Sequence, residues 1–586
     1  MGGATKSVTL PLMEATYRER ERHRGHALFF AAWTIAVLFR IVWPLADPPA
    51  DLSWSGGYMA DEGFWVHDAR NIALFGDEGP DEWHNRCVSP LVHPPILLLF
   101  RLLGPSLLTV RIWAMILSLL TLYFLDRICR RIDPSGILFT CFAVNSILIA
   151  YQRTAILESA VLPPATATLW LWLLARDERT SIRSNVLDSA AGIAAAAAWL
   201  IKGTQIYFMP VVLLATLLAE PSLRRARKPL LMQVLGMAVV GISWCVAIRI
   251  PHSLLLQKYN TYYVSQQGDA LIDFLKNFLM QPPAIYFSRM PVLFPAALLL
   301  ILTMMIRHRF RMEPPVLIFA ATWMILGILF LAPFGYRPLR YYLPLLIPTI
   351  ILGWRFLTRR SIPPVSPAGR GLAAFITFLL VLSTIPLVLD RYLLHGRITG
   401  IPPASGFPLT GPILSVIVTG LILIPPFIKD KPITGRRLAL LLAVSVSFHG
   451  ITAVNRLIHR RYDVLETSRE LARRLPHESV IAGQWAPQLA LETPFRAVPM
   501  WKNFVNDRNP VERFGVTHVL SWEYVLGDEL DYQKQWFPEM MQSARRLAVF
   551  RLKDSDVSLW ELPAAPGVNH VNPQQFQGLQ TTGHPE

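Results

Sequence analysis

The sequence predicts a polytopic α-helical membrane protein with a smaller soluble α/β domain near its C-terminal end. Of the 586 residues, 53% are hydrophobic and only 16% are charged, and the mean hydropathy is +0.37. These values lie outside the range of ordinary soluble domains. Runs of about 17–20 apolar residues recur along most of the chain, and each is long enough to cross a hydrocarbon core of roughly 30 Å.

The apolar runs predict about thirteen transmembrane helices. The expected spans are about 27–45, 107–126, 136–151, 156–175, 186–201, 205–219, 230–249, 291–306, 315–332, 341–357, 371–389, 410–427 and 438–455. The first run follows the basic stretch RERERHRGH and has no convincing small-residue cleavage site. We therefore expect an uncleaved anchor rather than a signal peptide.

Positive charge is concentrated in alternate connections between these runs, and the formal net charge is +16. The basic segments are the N-terminal residues 1–26 and the connections at 126–131, 176–183, 223–228, 307–311, 355–360 and 429–437. The positive-inside rule places them in the cytoplasm, so the other loops are expected to face outward. This distribution favours membrane topology over nucleic-acid binding. The four cysteines form no CxxC pair and no zinc-type spacing.

The first outer loop, residues 46–106, contains two predicted surface elements. Apolar residues recur at nearly helical spacing from Asp61 to Phe75, which predicts an amphipathic helix at the membrane surface. The carboxylates of Asp61 and Glu62 at its start are either a functional pair or simply favourable charges at a helix N-terminus. A second segment, 89–104, is too short for a comfortable span, and its His93 precedes two prolines that suit a helix start.

The apolar runs stop near residue 461, and a soluble α/β domain is expected over 461–563. The segments 479–484, 517–522 and 547–552 are β-prone, and 467–475 has a helical pattern. With an odd number of spans, this domain lies on the same outer side as residues 46–106. The polar, proline-containing tail 564–586 is expected to be disordered.

Several ionisable or phenolic residues stand at the expected outer ends of spans, where positive charge is unusual. They are Arg153, Glu158, Lys202, Arg337, Arg340 and Tyr341. Any one of the basic residues alone could be a snorkelling side chain at the interface. Together they resemble a site for a lipid phosphate, because one Arg guanidinium can donate two hydrogen bonds to two oxygens of a phosphate and Lys acts as a point charge.

These motifs, in this order, resemble the GT-C membrane glycosyltransferases of the group that contains the aminoarabinose transferase of lipid A and the protein O-mannosyltransferases. The matching segments are DE (61–62), HPP (93–95), YQRTAILES (151–159), LIKG (200–203) and RYYLP (340–344), and the resemblance covers about residues 27–460. It implies sugar transfer from a polyprenyl-phosphate carrier to a lipid, glycan or protein acceptor on the outer face of the plasma (inner) membrane.

The resemblance also implies roles for individual residues. Asp61 falls on the acidic residue usually given the role of general base, and Glu158 falls on a second acidic position of the same cavity. Carrier-phosphate positions are matched by Lys202, Arg340 and Tyr341. The family often has a basic residue before the two prolines, where this chain has His93. Glu62 is added to the candidate catalytic residues, and Arg337, Arg153 and Trp65 are added to the candidate donor-binding residues.

In the expected reaction, Asp61 accepts the proton of an acceptor hydroxyl, and the sugar is transferred in one inverting displacement. Lys202 and Arg340 stabilise the departing phosphate. Paired carboxylates also fit a divalent metal, but a phosphate neutralised by Lys and Arg does not require one, so no essential catalytic metal is expected.

Alternative functions to this transfer are a transporter or flippase of lipid-linked sugars, a transferase of larger glycans, and a non-catalytic scaffold. The segment 257–267 is expected to help choose the acceptor.

Overall fold

The computed structural model describes most of the chain. The described residues are 26–52, 58–79, 81–178, 182–265, 289–307, 313–334, 338–359, 365–383, 410–429, 431–501, 504–507, 509–523, 538–553 and 555–563. Three sequence expectations therefore concern residues outside the described part: the cytoplasmic position of the N-terminal segment, the disordered tail and the role of Arg337.

The larger part of the protein is helical, as predicted. In chain order, its helices are α1 (His26–Ile41), α2 (Asp61–Phe75), α3 (Asn85–Val88), α4 (His93–Leu103), α5 (Leu107–Ile132), α6 (Ile137–Ala143), α7 (Ser146–Gln152), α8 (Leu157–Asp177), α9 (Ile182–Ile201), α10 (Phe208–Ala219), α11 (Leu223–Trp244), α12 (Ser253–Ser265), α13 (Leu293–Ile306), α14 (Pro315–Leu331), α15 (Leu346–Thr358), α16 (Pro367–Leu382), α17 (Gly411–Ile428) and α18 (Gly435–Ile458). A 3₁₀ segment, Leu339–Leu345, leads directly into α15.

Seven helical segments in the described residues are long and apolar enough to cross a membrane. They are Leu107–Ile132, Leu157–Asp177, Ile182–Ile201, Leu223–Arg249, Leu339–Thr358, Gly411–Ile428 and Gly435–Arg474. Six shorter apolar helical segments accompany them in the same residues. The predicted fold class is confirmed, and the number of thirteen spans stays a prediction.

One expected span is not a continuous helix. Residues 136–151 form the two short helices α6 and α7, which are separated at Val144 and Asn145. The side chain of Asn145 accepts hydrogen bonds from the backbone N–H groups of Ile147 and Leu148 at 3.2 and 3.0 Å. Asn145 therefore begins a new helix as its N-cap, and the prediction of one unbroken helix here is wrong.

A buried polar network joins four of the long helices. Arg176 of α8 forms ion pairs with Asp188 of α9 and with Glu220, which follows α10. Gln233 of α11 donates to the same carboxylate of Asp188 at 2.7 Å. Charged groups at this depth are costly unless they are paired, so the network fixes the relative positions of these helices.

The C-terminal part forms a five-stranded mixed sheet with short helices. Its elements are α19 (Asp463–Arg474), β1 (Val480–Gly483), α20 (Ala486–Leu489), β2 (Arg496–Pro499), α21 (Pro510–Phe514), β3 (His518–Glu523), α22 (Pro538–Ser543), β4 (Arg545–Leu552) and β5 (Ser555–Glu561). The strand order is β2-β1-β3-β5-β4. Strand β1 is parallel to β2 and β3, whereas β5 is antiparallel to β3 and β4.

The predicted α/β character of this part is confirmed, and the boundaries 461 and 563 stay a prediction. Strands β1, β3 and β4 and helix α19 occupy the segments where the sequence predicts them. The sequence analysis did not predict β2 or β5. Strand β2 has only four residues and ends in proline, whereas β5 alternates the apolar Val557 and Leu559 with polar residues in its sequence, although Ser558 between them is also buried.

The sheet domain is packed on α2. The backbone N–H of Gly63 donates to the side chain of Gln488 at 2.5 Å. The buried Arg70 donates to the carbonyl oxygens of Thr493 and Phe495 at 2.7 and 2.8 Å. These contacts place the sheet domain against the first part of α2, and so beside the candidate site.

Candidate active site

A cavity of about 750 Å³ lies where α2, the ends of several membrane helices and the sheet domain meet. Its polar and charged lining residues include Asp61, Ser89, Lys202, Thr204, Arg249, Asn260, Arg340 and Gln484. Its aromatic lining residues are Tyr58, Phe64, Trp65, Trp199, Trp244, Tyr259, Tyr262, Phe330, Phe334, Tyr341, Trp485, Trp501, Phe504 and Trp522. The cavity therefore combines a few charged groups with an extensive apolar and aromatic wall, as ligand sites usually do.

Asp61 is the acidic group that faces this cavity. It is the first residue of α2, where the positive end of the helix dipole favours a carboxylate. Its side chain keeps 22% of its surface exposed, and one carboxylate oxygen lies 3.1 Å from a terminal nitrogen of Arg340. Asp61 is thus a charged, accessible carboxylate held in place by one arginine.

Glu158 lies behind Asp61, and its side chain is only 1% exposed. It is in the first turn of α8, and the same Oε1 atom contacts Lys202 Nζ at 2.6 Å and Arg340 Nε at 3.1 Å. Arg340 therefore contacts both Asp61 and Glu158. The two carboxylates and two cations form one continuous charged cluster, although they come from α2, α8, the end of α9 and the segment before α15.

Tyr341 completes the cationic side of the cluster. The ammonium group of Lys202 lies 4.2 Å from the centre of the Tyr341 ring, which is a cation–π distance. Lys202, Arg340 and Tyr341 all line the cavity. An anionic group in the cavity can therefore reach an ammonium, a guanidinium and a phenol from the same side, which is the donor set expected for a phosphate.

The family comparison agrees with this geometry. Residues 88–245 match the family described as dolichyl-phosphate-mannose-protein mannosyltransferase. This segment includes Glu158 and Lys202 but covers less than half of the chain. No curated protein matches the sequence significantly.

Solved structures resemble the chain over most of its length. ArnT from Cupriavidus metallidurans bound to undecaprenyl phosphate has a TM-score of 0.51 and 15% identity, covering 91% of this chain and 97% of that one. The same protein in the apo state has a TM-score of 0.50 and 16% identity, with the same coverage. The chain has the GT-C fold.

A third similar structure is the archaeal oligosaccharyltransferase AglB from Archaeoglobus fulgidus, in complex with an inhibitory peptide and a dolichol-phosphate. Its TM-score is 0.48 and its identity is 10%, covering 85% of this chain and 69% of that one. The family match, the GT-C fold and the apolar helices together support a multi-pass membrane protein of the glycosyltransferase class.

Glu62 does not belong to the cavity of this GT-C chain. Arg111 of α5 donates to both of its carboxylate oxygens, and the backbone N–H of Ala155 donates to Oε1 at 2.8 Å. Both side chains of the ion pair are 2% exposed. These contacts join α2, α5 and the segment before α8 and hold Glu62 outside the cavity lining, so its catalytic role stays a prediction. Because Asp61 and Glu62 point to different arginines, they do not converge on one metal ion.

Two further sequence candidates also lie outside the cavity lining. Arg153 donates to the carbonyl oxygens of Phe39 and Trp43, each at 2.7 Å, so it ties α1 to α7 rather than facing a ligand. His93 is the first residue of α4 and is buried. Neither side chain is brought to the charged cluster, so donor binding by His93 and Arg153 stays a prediction.

Trp65 lines the cavity, and it belongs to a cluster of aromatic residues whose proximity could not be predicted from the sequence. Trp65 packs edge-on against Trp83, and Tyr262 stacks on Phe504 with ring centres 4.1 Å apart. Tyr259 donates a hydrogen bond to the carbonyl oxygen of Glu82 at 2.6 Å, and burial raises the pKa of its phenol. Within 257–267, the described residues Tyr259, Asn260 and Tyr262 line the cavity, which is consistent with the expected contribution of this segment to a substrate site.

The residues that the sequence analysis missed come mainly from the sheet domain. Gln484, Trp485, Trp501 and Trp522 of this domain line the cavity. No motif indicated them, because each is an isolated residue in a short strand or connecting segment. The concentration of three tryptophans within residues 485–522 was the available signal.

Proposed function

We propose that this chain is an integral-membrane hexosyl- or pentosyltransferase that moves a sugar from a polyprenyl-phosphate carrier to an acceptor. The observation that carries the proposal is the placement of Asp61 and Lys202 in the wall of one cavity, with Arg340 and Glu158 connecting them. A carboxylate next to a phosphate-binding cation pair is the arrangement that such a transfer needs.

The donor is a lipid monophosphate sugar. Lys202 and Arg340 supply charge for the phosphate, and the aromatic and apolar wall suits the first part of a polyprenyl chain. ArnT from Cupriavidus metallidurans, which shares this fold, has been solved with undecaprenyl phosphate. This supports a polyprenyl phosphate as the ligand of the cavity.

The reaction takes place on the outer face of the plasma (inner) membrane. The basic connections of the chain are distributed as the positive-inside rule requires for cytoplasmic loops. The loop that carries Asp61 and the sheet domain belong to the opposite side. Nucleotide sugars are cytoplasmic, so a lipid-linked donor is the appropriate one for a site that faces outward.

The transfer is a single displacement with inversion. The acceptor hydroxyl attacks the anomeric carbon from the face opposite the phosphate, and its oxygen forms the new glycosidic bond. The bond between the anomeric carbon and the phosphate oxygen breaks, and its electron pair stays on that oxygen. Asp61 takes the hydroxyl proton, so the products are the glycosylated acceptor, the polyprenyl phosphate monoester and a protonated Asp61.

Arg340 connects the two ends of this reaction electrostatically. The phosphate changes from a monoanionic diester to a more highly charged monoester while Asp61 changes from carboxylate to neutral acid. Arg340 therefore loses an anionic partner at Asp61 at the moment when a stronger anion develops at the phosphate. Lys202, Arg340 and Tyr341 stabilise that developing charge in a largely enclosed cavity, where such interactions are strong.

Glu158 acts as a positioning residue. It is buried behind Lys202 and Arg340, and it lies outside the described cavity lining. Its single contacting oxygen holds both cations. Without this carboxylate, two like charges would share a poorly hydrated site, so Glu158 keeps the phosphate site charged and assembled.

The sheet domain, proposed to span residues 461–563, forms the acceptor side of the cavity. Trp501 and Trp522 lie on the part of the cavity wall that this domain contributes. Tryptophan offers a large rigid surface with one polar group, which suits a ring-containing or partly apolar acceptor. The acceptor is a lipid, a glycan or a protein.

Reconstitution in vesicles tests the function. Purified protein is given a radiolabelled polyprenyl-phosphate sugar and a cell-envelope acceptor fraction, and both glycosidic-bond formation and movement of the donor across the bilayer are measured. The wild-type protein should form the bond, whereas Asp61→Asn should lose at least about 10²-fold in rate while still binding polyprenyl phosphate. The control Glu466→Gln changes an exposed carboxylate of α19 and should be fully active.

The two measurements separate the transferase from the alternative activity. Donor movement without bond formation would identify a transporter or flippase instead. A normal transfer rate in Asp61→Asn would remove Asp61 from the base role. Replacing Lys202 by Gln should weaken use of the donor more than use of the acceptor, because its contacts lie on the phosphate side.

A further inference from the structure

Three metal-ligating side chains meet in the first outer loop, away from the charged cluster of the cavity. Asp68 of α2 and Glu78 and His84 of the segment after α2 each offer one donor atom, and these atoms lie within 4.8 Å of one another. His84 Nδ1 and Glu78 Oε2 are 3.2 Å apart. That separation is already close to the roughly 3.3 Å expected between two ligands of a tetrahedral zinc ion with bonds of about 2.0 Å.

The Asp68 carboxylate lacks a partner for one of its oxygens. Its side chain is buried, and Oδ2 accepts a hydrogen bond from the backbone N–H of Arg86 at 3.1 Å. Oδ1 is buried and accepts no hydrogen bond from any described residue. A buried, unsatisfied carboxylate oxygen costs free energy, and a cation bound there would remove that cost.

The local charge balance also favours binding of a cation. Asp68, Glu78 and Asp81 place three carboxylates in a small volume, and the Arg86 guanidinium contacts Glu78 at 2.5 Å. His67 Nε2 lies 2.8 Å from Asp81 Oδ2, so this histidine pairs with Asp81 rather than with Asp68.

We propose that Asp68, Glu78 and His84 bind a divalent cation of the Zn²⁺ type. One imidazole nitrogen and two carboxylate oxygens are a common zinc ligand set, with a fourth position open to water. Mg²⁺ prefers an all-oxygen octahedral shell, so the imidazole favours Zn²⁺ or Mn²⁺ over Mg²⁺. The ion is structural, because none of the three ligands lines the cavity.

The site links α2 to the segment that leads into α3. Asp68 lies seven residues after Asp61 in the same helix, whereas His84 directly precedes α3, from which Cys87 and Val88 line the cavity. A metal ion across these elements holds the start of α2 and the α3 wall at a fixed distance. Metal binding therefore stabilises the outer loop and positions Asp61 without contacting a substrate.

Metal content and thermal stability of the full-length protein in detergent test this site. The affinity tag is removed, the protein is treated with a chelator, and Zn²⁺ or Mn²⁺ is titrated while bound metal is measured by mass spectrometry. Wild-type protein should bind one equivalent and show a higher Tm. Glu78→Gln and His84→Gln should each weaken binding at least about 10-fold and lose the metal-dependent rise in Tm.

Two other variants make the result specific. Arg86→Gln removes the cation that competes for Glu78 and should tighten metal binding, which a hydrogen-bonded cluster without a metal would not show. Glu466→Gln should bind metal as the wild type does. The proposal is overturned if wild-type protein binds neither Zn²⁺ nor Mn²⁺ beyond the level of Glu78→Gln, or if all ligand variants keep their affinity.

Discussion

The guanidinium of Arg340 lies 3.1 Å from the carboxylate of Asp61, although Asp61 begins the largely buried helix α2 and Arg340 belongs to the 3₁₀ segment that leads into α15. The same guanidinium lies 3.1 Å from Glu158. One arginine contacts both the proposed base and the buried carboxylate behind it. The electrostatic energy of Arg340 therefore depends on charge changes at the acceptor side and at the phosphate side.

Replacing Arg340 should therefore affect the chemical step as well as donor binding. Arg340→Gln should lower kcat by about 10²–10³-fold, the usual cost of removing one preorganised donor from a developing anion. Arg340→Lys keeps the charge but cannot contact two carboxylates with separate nitrogens, so its activity should fall between those of wild type and Arg340→Gln. Steady-state kinetics with a lipid-linked donor provide the measurement.

Arg551→Gln, at an exposed position of β4, is the matched control and should leave kcat unchanged. If Arg340→Gln raised only the KM for the donor and kept kcat, Arg340 would be a binding residue without a role in the transition state.

The Glu62–Arg111 pair predicts a loss of stability rather than a specific loss of chemistry. Glu62→Gln leaves the buried Arg111 without its ion partner, and breaking such a pair typically costs about 3–5 kcal/mol. The double variant Glu62→Leu with Arg111→Met removes both charges and should recover part of the lost Tm. Thermal unfolding in detergent compares the two variants.

Activity per folded molecule decides the role of Glu62. The stabilised double variant should retain a kcat much closer to that of wild type than Asp61→Asn does. A well-folded double variant with no activity would indicate that Glu62 has a catalytic role.

The sequence could identify Lys202 and Arg340 because each is a charge at the end of an apolar run, where charge is costly. Asp61 was identified by its place in the DE pair (61–62) of the family resemblance. The sequence could not distinguish Asp61 from Glu62, since the difference lies in their partners. Arg111 reaches Glu62 from α5, 49 residues further along the chain, and nothing in the local sequence indicates that pairing. The two neighbouring carboxylates therefore looked equivalent until their contacts were known.

The fold shows the same division. Long apolar runs and the helical period of α2 were sufficient to predict the helices. The interruption between α6 and α7 depends on one asparagine cap within an otherwise apolar segment, and the sequence analysis did not separate it from a continuous span. The aromatic side of the cavity was missed because its residues are brought together only when the sheet domain packs on α2.

That packing depends on the absence of a side chain at Gly63. A Cβ atom added there would lie 2.4 Å from the backbone N and Cα atoms of Gln488, which is too close for any real contact. Although alanine is the better helix former by about 1 kcal/mol, Gly63→Ala should push the sheet domain away from α2. Amide hydrogen exchange should show loss of protection along the contact between α2 and α20.

Gly450→Ala provides the control, because a Cβ at that position of α18 meets nothing within 4 Å. It should keep wild-type exchange and activity. Unchanged exchange and unchanged activity in Gly63→Ala would show that the domain contact is not tightly packed.

Asp47 contacts the first residues of the sheet domain, and it predicts that the stability of the protein depends on pH. Its backbone N–H donates to Arg461 at 2.8 Å, and its carboxylate accepts from the backbone N–H of Val464 at 3.4 Å. Burial, which outweighs the opposing effect of Arg111, raises the pKa of this carboxyl to about 7. In the unfolded chain its pKa is about 4.

The folded protein therefore holds this proton to a higher pH than the unfolded chain does. Between about pH 4 and pH 7 the folded state binds more protons at this site, so the free energy of unfolding falls as pH rises through that range. Asp47→Asn removes the titrating group but keeps an oxygen for the Val464 N–H. Its Tm should fall less than that of wild type between pH 4.5 and 7.5, whereas Glu466→Gln should follow wild type; parallel curves for wild type and Asp47→Asn would show that Asp47 does not titrate in this range.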